Sequence, residues 1–319
     1  MGLRQFSMIK EALFHSKILL FGEYGIIQDS MGLSIPYKAY MGELKYGDKD
    51  SLVAQQSNGN LVKFHHHLQA LENSNELPVP LDLVRFGKDV KDGMHFDSTI
   101  PQGYGVGSSG ALVAAIYDKY AVEKLDPNNS LSSEDILKLK TAFGIIESYF
   151  HGKSSGVDPL ICYLKLPVLI KSKSDVNTIG IPAEKEGIGA IFLMNTGTTG
   201  ETQGMVNIFM ERMKQEGFRN MIKKDFKKYN DQCISAFLEG ETQPLFDSLK
   251  HLSSLVLQNF KPMIPSNFQQ YWEDGLTSNA YYLKLCGSGG GGFILGFTRD
   301  FPKAQKMLQG QKLEVIYKF

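Results

Sequence analysis

The chain of 319 residues has room for about two ordinary domains, and 42% apolar with 21% charged residues excludes a disordered or fibrous protein. Lys+Arg and Asp+Glu balance at 34 each, so no whole-chain field exists to gather nucleic acid or anionic lipid. No apolar run approaches the roughly 18 residues of a membrane-crossing helix, Met1–Lys10 lacks the layout of an export signal, and three well-separated cysteines (Cys162, Cys233 and Cys286) suit reduced thiols in a cytoplasm.

In chain order, Glu11–Ile27 is too apolar and too short for a surface helix and predicts a buried strand ending near Gly22. Leu61–Leu71 predicts a short helix with Leu61, Phe64, Leu68 and Leu71 on one face. The triplet His65–His67 inside it points three ways, which serves a metal poorly and predicts a solvated face. Met94–Ile100 alternates and then meets Pro101, a strand running into a turn. Ala111–Val122 predicts a helix, and Ser132–Asp135 has the form of a capping box opening another. Ile136, Leu139, Phe143, Ile146 and Phe150 line that second helix, which should end at His151-Gly152 and leave Lys153–Asp158 as loop. A polar stretch from Ser172 to Glu186 marks a domain boundary, dividing the chain into 1–180 and 181–319. Beyond it, Ile188–Met194 reads as a buried strand. Ile222, Phe226, Tyr229, Cys233 and Phe237 mark one helix, and Leu245, Leu249, Leu252 and Val256 another. Tyr281–Leu285 and Phe293–Phe297 flank the glycine run 287–292 as two strand segments. Helices and strands mix throughout, so the class is α/β or α+β.

Gly103–Gly110 is the sharpest feature. A strand delivers the chain into a glycine- and serine-dense turn, and a helix follows at once. Glycines let backbone N–H groups approach a ligand, and the helix start adds unpaired donors and partial positive charge. Together they suit phosphate. Gly105-x-Gly107-x-x-Gly110 also matches the dinucleotide fingerprint, with acids at Glu123 and Asp126 near the expected offset. That leaves an NAD(P) oxidoreductase as an alternative, although the strand-first Rossmann start is missing. The Walker pattern is absent.

Two carboxylates favour phosphoryl transfer over hydride transfer. Glu147 lies late on a largely apolar helix, and Asp158 follows Ser154-Ser-Gly-Val in a segment with little reason to be acidic. One carboxylate for Mg²⁺ and another to orient or deprotonate a hydroxyl is what phosphoryl transfer needs. Spacing by itself does not assign these roles.

With these pieces in order, the chain resembles the GHMP small-molecule kinases, and among them the mevalonate kinases. Lys17-Ile-Leu-Leu-Phe-Gly-Glu-Tyr24 is similar to the family's opening motif, and Pro101–Ala111 to its phosphate loop. Glu147 through His151-Gly152 to Ser155-Gly-Val-Asp158 follows the mevalonate-kinase spacing, and Lys284–Gly292 resembles the glycine-rich third motif. The chain departs from the pattern at Phe14-His-Ser before the first lysine, and at Tyr24, Gly110 and Cys286, where histidine, alanine and threonine are usual.

The resemblance implies an α+β, two-domain fold, with a ribosomal-protein-S5-like first half, a ferredoxin-like second half and the active site between them. It implies a cytoplasmic enzyme of isoprenoid biosynthesis that transfers phosphate from ATP, with Mg²⁺, to the hydroxyl of a small molecule, mevalonate preferred over phosphomevalonate or a sugar. ATP would lie on Gly103, Gly105, Gly107, Ser108, Ser109 and Gly110, and the metal on Ser109 and Glu147. Asp158 and Lys17 would be catalytic, with Lys17, Glu23, Tyr24 and Thr202 on the substrate side. Cys286 is expected to be a packing residue. No nucleic-acid or membrane partner is expected, and a homodimer is compatible with the reading.

Overall fold

Strand β1 (Phe14–Phe21), at the edge of the first sheet, is buried along nearly its whole length because helices from both halves of the chain pack against it. It pairs antiparallel with the long strand β2 (Gly32–Lys45), whose far end receives β3 (His95–Ser98). Two short strands, β4 (Val168–Ile170) and β5 (Val176–Thr178), complete a sheet of order β1-β2-β4-β5, with β3 on the other stretch of β2. The computed structural model describes residues 12–47 and 51–319, without the side chain of His151. The readings of Met1–Lys10 and of Glu11 lie outside the described residues.

Helix α1 (Leu52–Asn73) is twice the length its apolar stripe predicts. Its start has no continuous apolar face, Leu52 and Val53 being exposed, but carries an N-cap, in which the Ser51 hydroxyl accepts from the Ala54 amide. Leu61, Phe64 and Leu68 are its buried face, as the spacing predicts. The histidines differ from expectation. Only His66 is solvated. The His65 ring lies edge-on to Phe86, with Nε2 2.9 Å from the Leu83 carbonyl, and His67 packs on Tyr149. A partly apolar imidazole tolerates both settings, so the triplet spans the edge of the core rather than facing water.

Helices α2 (Leu83–Lys91), α3 (Ser108–Tyr120), α4 (Ser133–His151) and α5 (Val157–Leu164) follow. The capping box of α4 is formed: Ser132 Oγ accepts from the Asp135 amide, and the Asp135 carboxylate accepts from the Ser132 amide. Tyr117, Phe143 and Tyr163 meet edge to face and join α3, α4 and α5 into one layer over the sheet. Every strand pair here is antiparallel, and Asp126 sits in a turn accepting from the Asn128 amide. This overturns the dinucleotide-fold alternative, which needs parallel strands and an acid at the end of the second.

The second sheet is also antiparallel. Its strands β6 (Ala190–Asn195), β7 (Tyr282–Leu285), β8 (Phe293–Thr298) and β9 (Leu313–Lys318) run in the order β7-β8-β6-β9. The helices of this half are α6 (Thr202–Arg212), α7 (Glu216–Met221), α8 (Lys227–Glu239), α9 (Thr242–Asn259), α10 (Gln269–Ser278) and the short α11 (Phe301–Met307), with α9 and α10 packed on β7. One turn of π-helix, Ile222–Phe226, joins α7 to α8, so the single predicted helix is a composite. Trp272 is fully buried and donates to the Ser253 carbonyl. The molecule is a two-domain α+β fold. Among the described residues no helix is long and apolar enough to cross a membrane.

Candidate active site

The glycine loop stands where β3 hands over to α3. The helix begins inside the motif, at Ser108, and its N-cap Gly107 has no side chain to satisfy the first-turn amides. A helix start of this kind, preceded by a glycine loop, is the arrangement that binds an anion. The loop is braced from behind. The Gly103 carbonyl accepts from the Gly200 amide at 2.8 Å, and the Val106 carbonyl from the Lys17 amide at 3.0 Å. A Cβ on Gly105 would lie 2.5 Å from the Cys286 carbonyl oxygen, so the two glycine-rich segments lie in direct contact. Cys286 and Cys162 are buried free thiols, both pushed up by burial, Cys286 to about 12; they act as packing, and Cys162 Sγ lies 3.9 Å from the Gly107 carbonyl.

The structure corrects the reading of Asp158 as a loop residue: it occupies the first turn of α5. Pro159 follows it without disrupting the helix, because a first-turn position has no amide bond to lose. Two helix starts, α3 and α5, therefore converge. Their approach needs Gly110, because a Cβ there would come within 2.8 Å of the Asp158 carbonyl carbon and the Pro159 nitrogen. Lys17, projecting from β1, forms a 2.9 Å ion pair with Asp158. Its side chain is 3% exposed, whereas that of Asp158 is 37% exposed. Burial alone would lower the Lys17 pKa, but the charge and hydrogen bond of Asp158 outweigh it and hold the ammonium above its ordinary value.

Glu147 reaches the same place from the end of α4. Ser109 Oγ donates to one of its oxygens at 2.9 Å and Ser154 Oγ to the other at 2.5 Å. Burial, then the charge of Asp158, pushes its carboxyl up to about 7 against the opposing hydroxyls and Lys17. Nothing in the sequence marks Ser154 as its partner beyond its place in the motif. Among the described residues no group of three or more His, Cys, Asp or Glu side chains is placed to hold a metal. The donor set of Glu147, Ser109 and Asp158 is hard oxygen and incomplete, which fits a magnesium ion that shares its coordination with phosphate and water.

The substrate-side candidates occupy the turn after β1. Glu23 is sealed in an ion pair with Lys284 of β7, at 5% and 3% side-chain exposure. Lys284 is the residue that sequence reasoning left without a role, although it opens the third motif. Burial pushes the Glu23 carboxyl up while Lys284 holds it down, with a net rise. The Tyr24 ring stacks on Phe209, 4.6 Å between centroids, and its hydroxyl donates to the Ser288 carbonyl at 2.6 Å. Thr202, exposed at the start of α6, is 3.4 Å from Ser288 Oγ. Lys17, Ser109, Glu147 and Asp158 thus form one cluster, and Glu23, Tyr24 and Thr202 lie around strand β7 and the run 287–292.

Residues 68–165, from late α1 through α5, match the model of the GHMP kinases N terminal domain. That segment holds the glycine loop, Glu147 and Asp158, and solved GHMP kinases share the remaining architecture. The chain carries the GHMP kinase fold. The L. major mevalonate kinase in complex with R-mevalonate is 17% identical, with a TM-score of 0.60 over 97% of this chain and 96% of that one. Streptococcus pneumoniae phosphomevalonate kinase, in complex with phosphomevalonate and AMPPNP, is 14% identical, with 0.62 over 97% and 100%. Lactococcus lactis galactokinase complexed with galactose is 12% identical, with 0.61 over 96% and 92%. No curated protein matches the chain by sequence. The GHMP kinase fold places the first-half cluster beside the face that the second half presents through 287–292.

Proposed function

We propose that the protein is an ATP-dependent phosphotransferase acting on the hydroxyl of a small acid, with mevalonate the preferred acceptor. The observation that carries this reading is the Lys17–Asp158 pair, set at the joined starts of α3 and α5 with Glu147 and Ser109 alongside. Loop amides 103–107 and the first turn of α3 would bind the phosphates of ATP. Asp158, open on one side, would orient the acceptor hydroxyl and receive its proton. Lys17, held charged by Asp158, would stabilise the oxygen charge that develops during transfer. Positioning and charge neutralisation carry most of such a reaction.

Ser109 and Glu147 would hold Mg²⁺, which when bound supplies charge neutralisation on the phosphates. A carboxyl that burial has pushed up to about 7 gains from exchanging its proton for a divalent cation. The two sheets are read as two lobes dividing near residue 180, between the end of β5 at Thr178 and the start of β6 at Ala190.

Mevalonate is preferred because Glu147, His151-Gly152 and Asp158 keep that family's spacing. Tyr24, in place of the usual histidine, favours phosphomevalonate as the competing acceptor. An ADP-release assay with mevalonate, phosphomevalonate and galactose tests the reading. Turnover on mevalonate alone is expected. Turnover only on another acceptor defeats the substrate, and absence of ATP turnover with all three defeats the chemistry.

A further inference from the structure

The turn between β1 and β2 belongs to the first half in sequence, yet the second half holds it. Its internal bonds are local: the Ile26 amide to the Gly22 carbonyl, Ile27 to Tyr24, and Ser30 to Gly25. The bonds at its far end come from residues about 200 positions away. Asp231 Oδ1 accepts from the Met31 amide at 2.8 Å, and Asn230 Nδ2 donates to the Met31 carbonyl at 2.8 Å. Lys227 Nζ donates to the Asp29 carbonyl at 2.6 Å and pairs with Asp231 at 2.9 Å. All three side chains rise from the start of α8, directly after the π-turn, whose Phe226 packs against Gly25.

The backbone they hold is strained. Tyr24 has φ 58° and ψ −36°, a conformation that an aromatic side chain avoids, and Asp29 has φ 58° and ψ 27°, in the left-handed region that aspartate enters more readily. Such conformations persist where surrounding contacts over-determine them. Here the contacts from α8 flank Asp29, while Lys284 and the Ser288 carbonyl fix Glu23 and Tyr24 at the other end.

We infer that Asp231, with Asn230 and Lys227, is a positioning residue: it fastens the turn that carries Glu23 and Tyr24 to the second lobe, so that acceptor binding depends on α8 while ATP binding does not. This rests on the reading of Glu23 and Tyr24 as acceptor-side residues. A positioning role differs from general support of the fold, because it affects one substrate and spares the other.

The test uses the full chain, with mevalonate varied at saturating Mg·ATP and then ATP varied at saturating mevalonate. Asp231→Ala is expected to raise the mevalonate KM by about tenfold, with kcat and the ATP KM changed by less than about twofold. Asp231→Asn keeps an oxygen for the Met31 amide and should restore most of the mevalonate KM. Lys227→Gln, at a more exposed position, should shift it in the same direction by less. Equal losses for both substrates, or an unchanged mevalonate KM in Asp231→Ala and Lys227→Gln, overturn the inference. Hydrogen exchange separates this outcome from failure of the proposed reaction, since it needs no turnover. In Asp231→Ala or Lys227→Gln, faster exchange confined to residues 23–31 supports the anchor, whereas exchange that also rises across 103–110 overturns it.

Discussion

Two buried lysines make the same kind of bond in different settings. Lys17 and Lys284 are equally buried, each at 3% side-chain exposure, and each meets a carboxylate. The partners differ. Asp158 is 37% exposed and can bond a third group, whereas Glu23 is 5% exposed and closed off. An ion pair with one open oxygen can exchange partners during a reaction. A sealed pair can only hold its surroundings in place, because breaking it strands a charge in a medium that does not solvate it. Burial of the acid therefore separates a pair that can react, the role proposed for Lys17 and Asp158, from one that can only frame.

The largest effect should come from breaking the sealed pair. Lys284→Met leaves Glu23 buried without its cation and is expected to cost roughly 3–5 kcal/mol of stability. The double variant Glu23→Met/Lys284→Met should recover most of that loss, since two apolar side chains can replace a buried pair nearly without penalty. Urea melts of the two variants decide the matter; a single-variant cost below about 1 kcal/mol, the scale of a surface pair, would show that the pair is solvated.

Breaking the open pair should instead appear in the chemistry. Asp158→Asn is expected to cut kcat by at least about 10²-fold, the usual range for a general acid–base group, while ATP affinity stays near normal. Single-turnover measurements with a separate ATP titration test this. Near-normal turnover would remove Asp158 from the mechanism and reduce the first pair to a second frame.

How much of this contrast the sequence carries depends on the range of each interaction. The capping box at Ser132 and the glycine loop at Gly103–Gly110 are local, and both are readable because neighbours a few residues apart decide them. Asp158 opens a helix of only eight residues, preceded by Gly156 and with Pro159 in its first turn, a pattern that neighbours alone do not distinguish from loop. The first half of α1 shows no continuous apolar stripe, so its first turns could not be read from periodicity. The Glu23–Lys284 pair joins residues 261 positions apart, and the α8 anchors span a similar distance. No spacing rule reaches that far; only the folded topology brings these side chains together.

A smaller effect tests the acid that neighbours the open pair. Glu147 is raised from 4.5 to about 7, by burial first and Asp158 second, so its uncharged form is favoured in the fold. Such an acid contributes stability fully below pH 4.5 and loses it as the pH rises through about 7. Glu147→Gln carries no charge at any pH, and melts of the metal-free protein should lose that dependence across the same window. Protons also compete with Mg²⁺ for the wild-type carboxylate, so the half-saturating Mg²⁺ concentration should fall as the pH rises toward and past 7. In Glu147→Gln it should be about tenfold higher and flat with pH. An unchanged Mg²⁺ titration would place the metal elsewhere.

The smallest effect bears on where the boundary between the two pairs lies. Tyr24 sits next to Glu23, but its hydroxyl reaches Ser288 in the glycine run, which in turn backs the phosphate loop. It touches both systems. Tyr24→Phe removes one hydrogen bond and keeps the stacking on Phe209 and Phe260, so about 1 kcal/mol should be lost. If the turn is an acceptor-side frame, most of that loss enters the acceptor KM, as a change of roughly fivefold. ATP affinity should stay fixed, because the loop's own braces at Gly103 and Val106 do not involve Tyr24. The opposite outcome, weaker ATP binding with the acceptor KM unchanged, would tie Tyr24 to the phosphate loop. The run 287–292 would then couple the two lysine pairs, and the distinction drawn from burial would hold for Glu23 alone.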